Sequence, residues 1–324
     1  MARLTVLLPE LRRAGAQVPR SPWTDERGRR VAAVPLLASW LARGDRLTDL
    51  KPGRETALRS VFAFSGTALP AAALTRSIDA TDAAGTSWLR ADPCHVFVDA
   101  VAVRMLAWSN LGLSAEESNE LARALRPLFG DAGFPLEAAT PERWYLRCPR
   151  GARLPQFTDP ADVLGADLLP HFPHGENERQ WRHLLNEAQV ILHNHPVNVL
   201  RVQRGQLAAN SVWFWGAGEL PDLVRTSFTR VATSEALLGA LARLAKVASV
   251  PANPDAFFHF DAKDDLLLDL GAGVVRDEWY APLHEALRKR QLSELELRFE
   301  SGEVVLWKHW HRWRFWRRVP VGAS

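Results

Sequence analysis

The sequence predicts an α/β protein in which a mixed-sheet core carries a smaller α+β module. Three observations support this. Short strand-like apolar runs alternate with segments whose apolar residues recur at i, i+3, i+4 and i+7, with βαβ-like spacing. The chain of 324 residues is long enough for two domains or one large α/β domain, and its apolar and charged fractions are ordinary for a globular protein. The most legible stretch, WRHLLNEAQVILHNHPVNVLRVQRGQLAANSVWFWGAG at residues 181–218, reads as helix, proline corner, short basic helix and tryptophan-rich strand. No internal repeat or low-complexity tract is visible.

In chain order, residues 4–8 form a first strand stopped by Pro9, followed by a Pro- and Arg-rich stretch to Arg30. A helix is expected over 32–41 with Trp40 on its apolar face; residues 57–65 fit helix or strand, and 69–74 fit a helix. Residues 88–98 read as a strand interrupted at Pro93. Ser114, followed by Glu116 and Glu117, caps a helix running to about Leu128, and residues 143–148 form another strand. In the central stretch, Trp181, Leu184, Leu185, Ala188, Ile191, Leu192 and His195 mark the buried helix face, and Pro196 ends the helix near His195. Residues 211–215 are apolar enough for a buried strand, and Gly216 and Gly218 let the backbone turn where a side chain would block it. Beyond it come a helix over 234–246 capped by Ser234, a strand over 257–261, and a helix over 279–290. A hairpin joins 295–299 to 304–306 through Ser301 and Gly302.

Charge and cysteine usage narrow the function classes. Five cations, Lys308, Arg312, Arg314, Arg317 and Arg318, follow the last acid, Glu303; the remaining 35 of the 40 Lys and Arg face 37 acids. Basic character is therefore a property of the tail, and the whole-chain charge is no argument for nucleic acid. The longest apolar runs, such as residues 31–41, are too short to cross a bilayer, and the opening run is too short for an export signal. Cys94 and Cys148 are the only cysteines, which argues for a reducing cytoplasm; on neighbouring strands they would face each other as small apolar groups. Histidine spacing offers no i, i+4 metal pair on the central helix: His183 and His193 lie too far apart, and His193 and His195 point to different faces. His171 and His174, three apart in a Pro-rich loop, leave a metal site open there.

Residues 88–246 resemble the substrate-side module of archaeal-type, cofactor-independent phosphoglycerate mutases. The likeness rests on LNEAQVILHNHPVNVLRVQRG with ANSVWFWGAGELP, on TDPADVLG upstream, and on LSAEESNEL before the WYL strand. The whole chain, from LLPEL to RFWRR, is similar to the RpfE-type regulatory proteins of Gram-negative bacteria. The resemblance implies a degenerate alkaline-phosphatase-like core from residues 1–87 and 247–324, with 88–246 as the mutase-like module. It also implies a site built from His195, Asn198, Arg201 and Asn210, with Trp213, Trp215, Gly216 and Gly218 closing it.

Departures from that pattern are as informative. A two-metal mutase needs oxygen and imidazole ligands around a phosphorylatable hydroxyl. The opening Asp-Gly metal motif is absent, because PELRR follows the first strand. Near the C-terminus HFDAKDD lacks the second histidine, Ala161 replaces a loop histidine, and Trp144-Tyr145-Leu146 replaces a YRH-like strand. The expectation is a non-catalytic regulatory or scaffold protein with no cofactor and no bound metal. An enzyme with a rearranged metal set is the alternative.

The residue types leave two readings open at each retained position. His195 beside Pro196 would donate a ring N–H to a freed helix carbonyl, or belong to a site. Arg201, near Asn198 and Asn210, would clamp an anionic small molecule with its planar fork, or bond within the fold. The tail places Trp307, Trp310, Trp313 and Trp316 at every third residue; on a helix this makes an aromatic stripe with basic flanks. Trp307, Trp310, Trp313, Arg314 and Arg317 then form a partner surface for an unidentified protein, a membrane surface or nucleic acid, or the stripe packs on the body.

Overall fold

The computed structural model describes residues 2–9, 35–47, 50–66, 68–98, 102–253, 261, 263–271 and 277–317. The chain divides into two compact units, residues 1–65 with 223–324, and residues 66–222. Before the second unit come β1 (Ala2–Leu8), α1 (Pro35–Arg43), β2 (Asp45–Arg46), α2 (Arg54–Arg59) and β3 (Ala63–Phe64). The second unit holds α3 (Ala71–Asp79), β4 (Trp88–Val98), β5 (Val103–Trp108), α4 (Ala115–Asp131), β6 (Leu136–Thr140) and β7 (Arg143–Arg147). It continues through α5 (Pro160–Val163), α6 (Glu178–His193), α7 (Pro196–Gln203) and β8 (Ser211–Gly218). The first unit then resumes with β9 (Val224–Arg225), β10 (Arg230–Ala232), α8 (Ala236–Leu244), β11 (Ala248–Val250) and β12 (Asp265–Asp269). It closes with α9 (Asp277–Arg288), β13 (Leu292–Phe299), β14 (Val304–Lys308) and a 3₁₀ segment, His309–Trp313.

The first unit is a mixed α/β layer structure. Its seven-stranded sheet runs β11-β10-β12-β1-β13-β14-β2. The pairings of β1 with β12 and β13, and of β10 with β11 and β12, are parallel, whereas β14 is antiparallel to both β13 and β2. Parallel strands are buried on both faces and so read as continuous apolar runs, as TVLL in β1 and LLL in β12 do. Leu4, Val6 and Leu8 of β1 pack with Leu37 and Trp40 of α1 and with Trp279, Leu283 and Leu287 of α9 in one core. The β13–β14 turn needs Gly302: its φ is 102°, and a Cβ there would lie 2.2 Å from the Leu50 carbonyl oxygen.

In the second unit β4 is the hub. β8 runs antiparallel along it, while β7 pairs with its first residues and β5 with its last. Pro93 does not interrupt this strand; it sits opposite Val212, and the register shifts fall elsewhere, between Trp88 and Arg90 against β8 and between His95 and Val96 against β5. Helices α4 and α6 cover the sheet. Trp181, Leu184, Leu185, Ala188 and Leu192 form the buried face of α6, and the Trp181 ring lies 5.0 Å from Phe214 and 4.8 Å from Phe134. Ser114 and Glu117 form a reciprocal capping box at the start of α4.

Unit boundaries differ from the sequence expectation of 88 and 246. Helix α3 packs against β4 and β8, so it belongs with the second unit. Strand β10 pairs with β12 and β11, so it and α8 belong with the first. Helix α8 begins one residue later than expected, with Glu235 rather than Ser234 at the N-cap position and the Thr233 hydroxyl accepting the Glu235 N–H at 3.0 Å. Cys94 and Cys148 do not face each other. Cys94 is opposite Trp108 and Ser211, whereas the Cys148 N–H reaches Ser87 at the other end of β4. The expected strand at 257–261 lies outside the described residues, apart from Asp261.

Candidate functional site

The proline corner places the four retained residues around one loop, but gives each an internal partner. Helix α6 ends at His193, two residues short of the expected stop, because Asn194 takes the C-cap. His195 instead caps α7: its Nδ1 accepts the Val197 N–H at 3.3 Å. The expected role, donation of a ring N–H to the preceding helix, is therefore reversed. Burial pushes the imidazole below its ordinary value, consistent with an Nδ1 that must stay unprotonated to accept. Asn198, buried, donates to the carbonyls of Leu192 (2.7 Å) and Ala209 (2.9 Å) and accepts the Ala209 N–H. Asn210 pairs with both backbone groups of Val96 at 2.8 Å, extending the β4–β8 ladder through a side chain.

Arg201 is fully buried. Its Nε donates to Leu207 O (2.9 Å), Nη2 to Leu111 O (2.6 Å) and Nη1 to the Glu117 carboxylate (2.6 Å). The anion clamp expected of Arg201 with Asn198 and Asn210 is thus corrected. An incoming anion would have to displace Glu117 and two carbonyls that need a donor. The fork is matched to a carboxylate, and that carboxylate, Glu117, belongs to the chain itself.

A second closed network lies within the β4 sheet. Arg90 grips Asp92 through Nε and Nη2, both at 2.7 Å, and its Nη1 donates to Thr75. Asp92 also accepts the indole N–H groups of Trp108 (3.0 Å) and Trp215 (2.7 Å). Nearby, Asp79 receives two bonds from Arg143 and one from the Tyr145 hydroxyl. Burial opposes ionisation of Asp79, yet these bonds and the charges of Arg143 and Arg90 hold its carboxyl below the ordinary range. Gly216 and Gly218 serve this region through close approach. A Cβ on Gly216 would lie 2.7 Å from Ala71 Cβ, and one on Gly218 2.7 Å from Pro70 Cβ, so β8 can pass the start of α3 only with glycine there.

The carboxyl edge of the seven-stranded sheet carries a cluster placed where open α/β sheets ordinarily bind ligands. Asp269 ends β12, Glu300 follows β13, and Thr233 and Glu235 follow β10. Arg54, at the start of α2, donates to both Glu235 and Glu300. Burial works against the Arg54 charge, but Glu235, Asp269 and Glu300 hold it protonated, above its ordinary value. Asp269 accepts from the Thr233 hydroxyl (2.8 Å) and the Gly271 N–H (3.0 Å). The cluster is tightly roofed: a Cβ on Gly271 would sit 2.9 Å from Arg54 Nη1.

The tail is not the expected helical stripe. Trp307 lies on β14 and is buried, so it leaves the partner surface predicted from sequence. Arg314 pairs with Asp45, and Arg317 donates to Gly44 O at 2.7 Å. The strand-to-3₁₀ switch turns Trp310, Trp313, Phe315 and Trp316 outward, at 57–78% exposure.

No family model matches the chain. Part of the chain is similar in sequence to cofactor-independent phosphoglycerate mutases. A probable 2,3-bisphosphoglycerate-independent phosphoglycerate mutase of Geobacter sulfurreducens is 31% identical over 111 residues, 34% of this chain and 28% of that protein. The corresponding mutase of Methanosarcina mazei is 34% identical over 76 residues, 24% of this chain and 19% of its own length. The chain thus spans under a third of these relatives' length. Among solved structures, a cofactor-independent phosphoglycerate mutase from Thermoplasma acidophilum aligns at a TM-score of 0.42 and 16% identity, covering 95% of this chain and 90% of that one.

The two divalent ions implied by the mutase resemblance do not fit the described residues. The edge cluster offers carboxylates without imidazole, and a guanidinium already bonds two of them. Asp264 and Asp265, which close the HFDAKDD stretch, sit at the opposite end of β12, engaging Thr229 and Arg3. Pro9 is described, whereas 10–13 and 254–260, with His259, lie outside the described residues. Among the described residues no three His, Cys, Asp or Glu side chains form a metal-holding group. Sequence reading missed Arg54, Glu235, Asp269 and Glu300. The available signal was position: three of the four stand at or just after the end of a parallel strand.

Proposed function

We propose that this chain is a non-catalytic, phosphoglycerate-mutase-like regulatory or scaffold protein that acts in the cytoplasm through partner binding. One observation carries the reading: Arg54 lies among Glu235, Asp269 and Glu300 at the strand ends, where a catalyst of this architecture would keep its acids open to ions and substrate. The regulatory half draws on the whole-chain resemblance to RpfE-type proteins. Buried Arg76, Arg90 and Arg201 and half-buried Arg143 support it further, because each is paired with an acid of the chain.

The test is turnover and metal content on the same purified full chain. With Mn²⁺ supplied, 3-phosphoglycerate should give no 2-phosphoglycerate, and metal analysis should find no stoichiometric ion. Roughly two Mn or Zn per chain together with mutase turnover would establish the rearranged-site enzyme instead.

A further inference from the structure

From the C-terminal patch we infer a peripheral binding surface for anionic lipid. Trp310, Trp313, Phe315 and Trp316 are all exposed within seven residues, a concentration of aromatic surface that a globular chain ordinarily covers. Cations surround it: Arg43, Arg46, Lys308, Arg312, Arg314 and Arg317, against Asp45 and Glu294. The acids already have partners, Glu294 on Lys308 and Asp45 on Arg314. A cavity of about 570 Å³ adjoins the patch, lined by Leu41, Ala42, Gly44, Asp45, Arg46 and Arg317. Aromatic rings beside cationic heads match the boundary between acyl chains and anionic headgroups, where tryptophan is enriched. No helix among the described residues is long and apolar enough to cross a membrane.

Ring geometry favours lipid over single-stranded nucleic acid. Stacking on bases needs open ring faces. Here the Lys308 ammonium lies 5.4 Å over the Trp310 ring and the Arg312 guanidinium 4.9 Å over Trp313, so each presents one covered face. Phe315 and Trp316 meet edge to face at 5.4 Å, leaving no parallel pair of slots. Cations held over the rings place charge and apolar surface at one level, as an interface requires. The inference is independent of the proposed function, and an active mutase would leave it standing.

The experiment is co-sedimentation of the full chain with vesicles of phosphatidylcholine alone or mixed with phosphatidylserine. Binding to the anionic vesicles only is expected, weakening steeply with salt. The W313S/F315S/W316S variant, altered only at exposed positions, should keep the wild-type thermal midpoint and lose binding by at least about tenfold. Arg312→Glu should weaken it by about tenfold. Equal binding to both vesicle types, or to neither, overturns the inference. So does an oligonucleotide complex or a dimer, seen by sedimentation without vesicle binding, that the triple variant abolishes.

Discussion

Arg90 and Arg54 are both arginines held by acids of their own unit, yet their surroundings give them different meanings. Arg90 and Asp92 lie on β4, enclosed by Trp108, Trp215 and Tyr145, with Asp92 wholly buried. No solute reaches them, so their pairing concerns folding. Arg54 stands at the ends of parallel strands beside Glu235 and Glu300, whose side chains retain about a fifth to a quarter of their exposure. There the same pairing decides what the edge can bind. A buried arginine therefore says little by its type; its position relative to the strand ends separates frame from site.

Removing Arg90 should break this comparison most visibly. Arg90→Met leaves the Asp92 carboxylate buried without a counter-charge and should cost about 3–5 kcal/mol in urea unfolding. The double variant Arg90→Met/Asp92→Leu should recover only part of that loss, since it removes the charge and its partner but leaves the Trp108 and Trp215 indole N–H groups without their acceptor. A loss below about 1 kcal/mol for Arg90→Met would mean that the indole donors alone hold Asp92. Gly216→Ala probes the same frame from the backbone, through a contact of 2.7 Å with Ala71 Cβ and a φ of 66°. Strain and overpacking together should cost about 2–4 kcal/mol.

Arg54→Met sharpens the other side. The acids it holds are partly exposed, so the cost at neutral pH should be smaller, about 1–3 kcal/mol. Without the guanidinium the negative charges of Glu235, Asp269 and Glu300 lose the cation they share and repel one another. Acid relieves that repulsion, so the deficit against wild type should shrink as pH falls from about 7 to 5. A deficit independent of pH would mean that the three acids do not share one field.

The sequence made the frame legible and hid the site, for a physical reason. Periodicity exposes which residues face a core, so β1, α6, β8 and the β13–β14 hairpin could be placed from apolar spacing and turn glycine alone. Pairing between side chains leaves no local trace. Arg201 and Glu117 stand 84 residues apart, and Arg54 and Glu300 stand 246 apart. At Arg201 the chemistry of the fork was readable and its partner was not. Trp307 shows the same limit in the tail, where a repeat of three suggested one helix face. The apolar pattern VVLW extends β14 instead and buries that tryptophan.

The smallest effect tests the corner residue best recognised from sequence. His195 caps α7 with an unprotonated Nδ1, and burial lowers its pKa below the ordinary 6.5. The unfolded imidazole binds a proton more readily than the folded one, so this contribution is complete above pH 6.5 and is lost as pH falls through the folded value. His195→Asn supplies a cap that does not titrate. It should leave stability at pH 7 within about 0.5 kcal/mol of wild type and flatten the decline just below pH 6.5. His195→Ala should cost about 1 kcal/mol at neutral pH and also flatten it. An unchanged slope in both variants would assign the acid sensitivity to His311, whose imidazole burial also pushes down.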